Sequence, residues 1–309
     1  MKANRSLVII ITLAIIIFVV GILVYTRTKK TIPDDSKIHI VTSFYPLAYV
    51  AQMVGAEHVS VRNLVPAGVE PHDFELSARD LVEIGNADLL MYNGASLEAW
   101  IPKWEQGVSV RPKQIINMAS VLKNKGVLFI ERNGATDPHF WLDPIIMKDE
   151  IIVMRDMLTK IDPAQIETWN TNAERALQEL ETLNQHFALG LTVCGLRDTV
   201  VLHEAFNYLA RQYRFSVTSI EGISPEEEPS PKELARITDL VRAKGVKYIF
   251  FETTASPKFS ELIAREVDGT TLVLNPIESL TPNEVQLGED YISIMEMNLR
   301  NLRKAMSCN

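Results

Sequence analysis

The chain has 309 residues, 47% of them hydrophobic and 23% charged, with a formal net charge of −8. That length holds two domains of ordinary size or one large one, and that composition supports a sizeable core. The acidic balance excludes a general nucleic-acid binder, which needs surplus Lys and Arg to neutralise phosphates.

At the N-terminus no charge occurs between Arg5 and Arg27, and residues 7–25 are almost wholly aliphatic. As a helix they would span about 28 Å, close to the hydrocarbon thickness of a bilayer. No small-x-small cleavage site follows, nor a cysteine for lipid attachment, so residues 1–36 are read as an uncleaved transmembrane helix with its linker. Charges on either side of it nearly balance (Lys2 and Arg5 against Arg27, Lys29 and Lys30). The reading places the globular part outside the cytoplasm, at the cell membrane.

After the linker, Ile38–Thr42 reads as a strand, Tyr45–Val54 as a helix, and Val59–Val65 as an alternating strand. A loop over Pro66–Pro71 delivers His72. Ser77 and Asp80 make a plausible capped helix start, Leu89–Tyr92 a buried strand, Leu97–Trp104 a helix and Gln114–Met118 a strand. Strands alternating with helices at this spacing predict a mainly parallel sheet covered on both faces.

The segment Asp137-Pro138-His139-Phe140-Trp141-Leu142-Asp143-Pro144 crowds one imidazole, two carboxylates and two large aromatics between prolines, which predicts a stiff loop presenting His139. Beyond it, Ile166, Trp169, Ala173, Ala176, Leu177, Leu180, Leu183 and Phe187 form one stripe of a long helix. Asp162 is read as its cap and Gly190 as its end. The αβ rhythm restarts after it, through Thr199–Leu202, Phe215–Ile220, Val246–Phe251 and Thr271–Leu274, closing with a helix near Gly288–Met306. The chain is therefore read as α/β: a lobe over residues 37–161, a rigid linker helix over 162–190, and a second lobe over 191–309.

The sequence contains two cysteines. Cys308 lies next to the end, where chains usually fray, so a disulfide with Cys194 is not expected, and Cys194 reads as a small buried apolar residue. The run Glu226–Glu228 is read as a solvated patch.

His72, His139 and His203 each fall in a loop or at a strand end, and Glu278 lies just past the strand over Thr271–Leu274. In open parallel sheets the loops beyond the carboxyl ends of the strands converge on ligands. Three imidazoles and one carboxylate suit a first-row divalent metal. His39, His58 and His186 read as structural.

At these residues the chain resembles a family: the ZnuA/TroA-like zinc- and manganese-binding proteins of ABC importers. The resemblance covers Ile38 to Met306. It rests on Thr42-Ser43-Phe44-Tyr45-Pro46, Glu70-Pro71-His72-Asp73-Phe74-Glu75, the Asp137–Pro144 segment and His203-Glu204-Ala205-Phe206. It implies two αβ lobes joined by a rigid helix, with metal held between them and delivered to a membrane permease powered by a cytoplasmic ATPase. It also implies that His72, His139 and His203 are ligands, and a histidine at the third position favours Zn²⁺ over Mn²⁺ or Fe²⁺. For the fourth ligand many members use an aspartate where this chain has Asn275; Glu278 is chosen because a carboxylate outcompetes an amide for zinc, with Asn275 or water as alternatives. Two features depart from the pattern: no histidine-rich loop lies between His72 and His139, and the lipid-attachment cysteine is missing.

Asp73, Asp143 and Glu204 are candidates to orient the ligating rings. A zinc hydrolase using Glu204 or Asp73 as base is the rival enzyme reading, and a surface adhesin the rival interaction reading. His-Glu-x-x-His, a nucleophile elbow and a Walker A loop are all absent from the sequence, so no enzyme is expected. The expectation is a monomeric binding protein.

Overall fold

A computed structural model describes residues 36–107, 110–127, 129–132, 134–222 and 229–309. The expected anchor and the acidic run Glu226–Glu228 lie outside them. Among the described residues no helix is long and apolar enough to cross a membrane.

Continuous apolar runs make strands that are buried on both faces, and such strands assemble as parallel sheets. The first sheet contains β1 (Ile38–Thr42), β2 (Val59–Asn63), β3 (Leu89–Tyr92) and β4 (Gln114–Asn117), in the order β2-β1-β3-β4. Every pairing in it is parallel. A two-stranded hairpin, β5 (Glu131–Arg132) and β6 (Ala135–Thr136), follows. The second sheet contains β7 (Asp198–Val201), β8 (Ser216–Ser219), β9 (Tyr248–Phe251) and β10 (Thr270–Val273), in the order β10-β9-β7-β8. It too is parallel throughout. Read from its other edge, this is the topology of the first sheet, with the first strand in second place. Each lobe therefore has a switch point where successive crossovers leave in opposite directions: between β1 and β3, and between β7 and β9.

Alternate side chains on each strand face opposite ways, and burial divides accordingly. Ile40, Leu89 and Met91 join the main core, whereas Val41, Leu90 and Tyr92 join a separate cluster with Ile84, Trp100 and Trp104. In the second lobe Val201 and Phe250 face the main core, whereas Val200 and Ile249 pack with Ile237, Val241 and Ile263. The main core is continuous from Ile40 to Met306, so the two lobes share it.

Helices α1 (Tyr45–Gly55), α2 (Ala78–Asn86), α3 (Ile101–Gly107) and α4 (Met118–Asn124) belong to the first half. Ser77 caps α2 in a reciprocal box with Asp80, as its sequence predicts. Next comes α5 (Pro144–Ile161), which is not among the expected elements. The long helix, α6 (Ile166–Gly190), is preceded by a tight turn over Pro163–Gln165 that Asp162 caps. Its buried stripe is Trp169, Ala173, Ala176, Leu180, Leu183 and Phe187. Ile166 departs from the expected stripe and is 41% exposed. The second half adds α7 (Asn207–Tyr213), α8 (Pro231–Lys244), α9 (Lys258–Glu266), α10 (Pro282–Leu287) and α11 (Tyr291–Ala305).

One expectation is overturned. Cys194 and Cys308 are joined in a disulfide. The C-terminus does not fray, because it folds back on the segment after α6. Gly195 N donates to Ser307 O, Leu196 N to Met306 O and Asn309 N to Val193 O.

Candidate metal centre

His72, His139, His203 and Glu278 come together although more than 200 positions separate the first from the last. His72 sits in the loop between β2 and α2, His203 two residues past β7, and Glu278 between β10 and α10. His139 lies outside both four-stranded sheets: it follows the short hairpin strand β6 and precedes the tight turn Phe140–Leu142 that enters α5.

The ring nitrogens face each other. Nε2 of His139 is 3.3 Å from Nε2 of His72 and 3.3 Å from Nε2 of His203. Oε1 of Glu278 is 3.5, 3.3 and 3.3 Å from Nε2 of His72, His139 and His203 respectively. All the donor atoms lie within 4.8 Å of one another. Four ligands at ordinary zinc distances in a tetrahedron are about 3.3–3.4 Å apart, edge by edge, so five of the six edges match such a shell, and the sixth pair lies within 4.8 Å.

Each buried ring is set by a carboxylate on its far side. His139 Nδ1 lies 2.8 Å from Asp137 Oδ1, which also accepts from the His139 backbone N–H at 3.0 Å. His203 Nδ1 lies 2.6 Å from Glu252 Oε1. A hydrogen on each Nδ1 leaves the Nε2 lone pair turned into the cluster, the tautomer a cation requires. Asp137 and Glu252 thus fill the role for which sequence proximity pointed to Asp73, Asp143 and Glu204. Asp143 instead caps α5, accepting from Ile145 N at 2.9 Å. Glu252 immediately follows β9, so it and His203 straddle the second switch point. At the first, Asn93 immediately follows β3, and its side chain donates to Pro138 O at 3.0 Å, holding the His139 loop.

The Glu278 loop is held under strain. Ile277, β-branched and fully buried, has φ +59°, a region such residues rarely enter. The surroundings over-determine it. Ile277 N donates to Asn275 Oδ1 at 2.7 Å, and Asn298 clamps Asn275 by both its backbone N–H and its carbonyl. Trp141 Nε1 donates to Pro276 O at 2.8 Å. The Asn275 side chain is also engaged with Thr253 and Glu284, so Asn275 braces the loop that presents Glu278.

Both Glu278 oxygens are buried without a hydrogen bond, a costly state that a cation would relieve. Burial by itself would raise the Glu278 pKa, but the three imidazoles outweigh it and hold the group well below the usual carboxylate range. Burial would lower His139 and His203; their carboxylate neighbours outweigh it and raise both. His72 is lowered, chiefly by burial. A further carboxyl, Glu70, adjoins the cluster and accepts from His72 N at 3.2 Å. Burial, and then the charge of Glu278, push it up to about 10, so it stays protonated near neutrality. Its place two residues before His72 was the available signal.

Fold and cluster together define a class: two-lobed binding proteins whose site suits a divalent metal ion. The profile of the ZnuA family, described as the periplasmic component A of a zinc-uptake complex, matches residues 40–305, and the chain belongs to that family. It is 34% identical over 286 residues to the zinc-binding lipoprotein AdcA of Streptococcus pneumoniae, a match covering 87% of this chain and 56% of that longer relative. It is 30% identical over 285 residues to the high-affinity zinc uptake system protein ZnuA of Bacillus subtilis, covering 87% of this chain and 88% of the relative. The crystal structure of the Zn(II)-bound ZnuA-like domain of S. pneumoniae AdcA superposes with a TM-score of 0.76 at 35% identity, covering 87% and 99% of the two chains.

Proposed function

We propose that this chain is the extracytoplasmic zinc-binding protein of an ABC importer. It takes up Zn²⁺ with Nε2 of His72, His139 and His203 and the carboxylate of Glu278, then hands it to a membrane permease driven by a cytoplasmic ATPase. Residues 37–161 and 191–309 are the two lobes, residues 162–190 connect them, and the apolar segment over 7–25 anchors the chain. The observation that carries this reading is the set of five donor separations of 3.3–3.5 Å. Three imidazoles favour zinc over manganese, which prefers oxygen donors. A shell filled by four protein groups suits a carrier, since catalytic zinc keeps a position open for water.

Equilibrium dialysis with elemental analysis tests it. The purified protein binds about one zinc per chain and prefers it to manganese in direct competition. His186→Ala, in an exposed pair with Glu296, keeps the metal. Loss of zinc from neither His139→Ala nor His203→Ala removes the assignment.

A further inference from the structure

The loop that carries His72 is tied to the loop that carries Glu278 through one buried hydroxyl. Ser279 follows Glu278 directly and is 2% exposed. Its Oγ donates to Pro66 O at 3.1 Å and accepts from Gly68 N at 3.1 Å. Gly68 N also donates to Leu280 O at 2.8 Å. Gly68 has φ +79°, a region that favours glycine, and a Cβ there would lie 3.3 Å from Pro282 Cδ, a tight contact, so any other residue would strain this close approach. Pro66 and Gly68 belong to the first lobe and Ser279 to the second, more than 200 positions along the chain. The tie stands beside the cluster without belonging to it: His72 Nε2 and Glu278 Oε1, the donors carried by these loops, are 3.5 Å apart.

We propose that Ser279 is a positioning residue for the metal site: its hydroxyl clamps the His72 loop against the Glu278 loop and thereby sets how fast bound metal escapes. The proposal rests on the zinc-carrier reading and adds a residue that touches no metal. Of the four donors, His72 is on the outermost loop, with Pro66–Val69 exposed beside it. The other three are buried within the framework. Dissociation must open the shell somewhere, and the His72 side is where two side-chain hydrogen bonds hold it shut. A single buried hydroxyl that both donates and accepts loses both bonds when it is removed.

The test measures zinc release from the full chain in detergent into an excess of a chromogenic chelator, together with zinc stoichiometry and the d–d absorption spectrum of the cobalt-substituted protein. Ser279→Ala is expected to keep one metal per chain and the wild-type cobalt spectrum while releasing zinc roughly 5- to 30-fold faster, the effect of losing two such bonds. Ser260→Ala is the control: that hydroxyl is equally buried but donates to Phe250 O away from the site, so its loss is expected to leave release unchanged. Should Ser279→Ala not fold, the isosteric pair Ser279→Thr and Ser279→Val decides. The threonine variant keeps the wild-type rate and the valine variant is faster. Equal release from wild type and Ser279→Ala, or from the threonine and valine variants, overturns the clamp. A wild-type chain that binds no zinc overturns the carrier reading instead.

Discussion

The loops that carry His139 and His72 are built in opposite ways. The His139 loop is bolted to the second lobe along its length. Tyr208 OH donates to Asp137 O, Asn207 donates to Asp137 Oδ2, Trp141 Nε1 reaches Pro276 O, and Tyr291 OH reaches Trp141 O. Around these bonds Phe44, Phe140, Trp141 and Tyr208 are fully buried. The His72 loop reaches the second lobe through Pro66 and Gly68, and His72 lacks the deep burial of its partners. A site that must both hold a cation and give it up needs such inequality, with most of the shell preorganised and one part lightly tethered.

The largest expected effect separates the two loops. His139→Ala removes the donor on which both other rings converge and empties a buried polar site. Zinc affinity should fall by more than the roughly 10- to 100-fold typical of losing an outer partner. His72→Ala leaves three donors in their rigid frame, so its loss should be smaller; competition titration against a chelator ranks the two. An equal or greater loss in His72→Ala would invert the comparison.

Next in size are the carboxylates behind the rings. Asp137→Asn and Glu252→Gln keep the shape but weaken the hold on each Nδ1–H, and should each lower affinity about 10- to 100-fold at unchanged stoichiometry. The raised pKa values of His139 and His203 carry a sign. The metal-free rings keep their protons to higher pH than free imidazole does, and metal must displace those protons. Affinity should therefore drop as pH falls through and below neutrality, with proton release visible as a buffer-dependent heat in calorimetry.

The smallest expected effect concerns the frame alone. Glu150 on α5 is fully buried, neither of its oxygens is hydrogen-bonded, and burial, then Asp149, hold its pKa well above the usual value. The folded chain keeps this proton where the unfolded chain has lost it, so stability falls as pH rises above the unfolded value of about 4.3. Glu150→Gln should remove that loss, raising Tm at neutral pH by about 2–4 °C and leaving zinc binding unchanged. A Tm gain that persists below the unfolded pKa would point to packing instead.

Much of the frame was legible because the apolar runs Leu89–Tyr92 and Tyr248–Phe251 are too short for buried helices and are bounded by turn residues, as strands buried on both faces are. That His72, His203 and Glu278 come together was legible because the loops beyond strand ends in such sheets converge, whereas His139, outside both four-stranded sheets, stood out by its own Pro-flanked segment. What escaped depends on distance along the chain or on patterns that periodicity does not show. Helix α5 carries Met147, Ile151, Met154 and Leu158 at the spacing of one helical stripe, but the buried Glu150 sits within that face and interrupts its apolar pattern. Glu252 lies 49 residues from His203 and no spacing rule links them. The disulfide needed the last helix to return the terminus to Cys194, which neither cysteine's neighbours disclose. Asn275 read as a possible ligand because its neighbours match a ligand motif, whereas its amide is engaged in bracing the loop.

Anomalous diffraction at the zinc absorption edge, from crystals of the zinc-loaded protein, tests the convergence itself. The account predicts one strong peak within about 2.0–2.2 Å of Nε2 of His72, His139 and His203 and of a Glu278 oxygen. A zinc bound elsewhere on the chain, with these four side chains left around empty space, would contradict it.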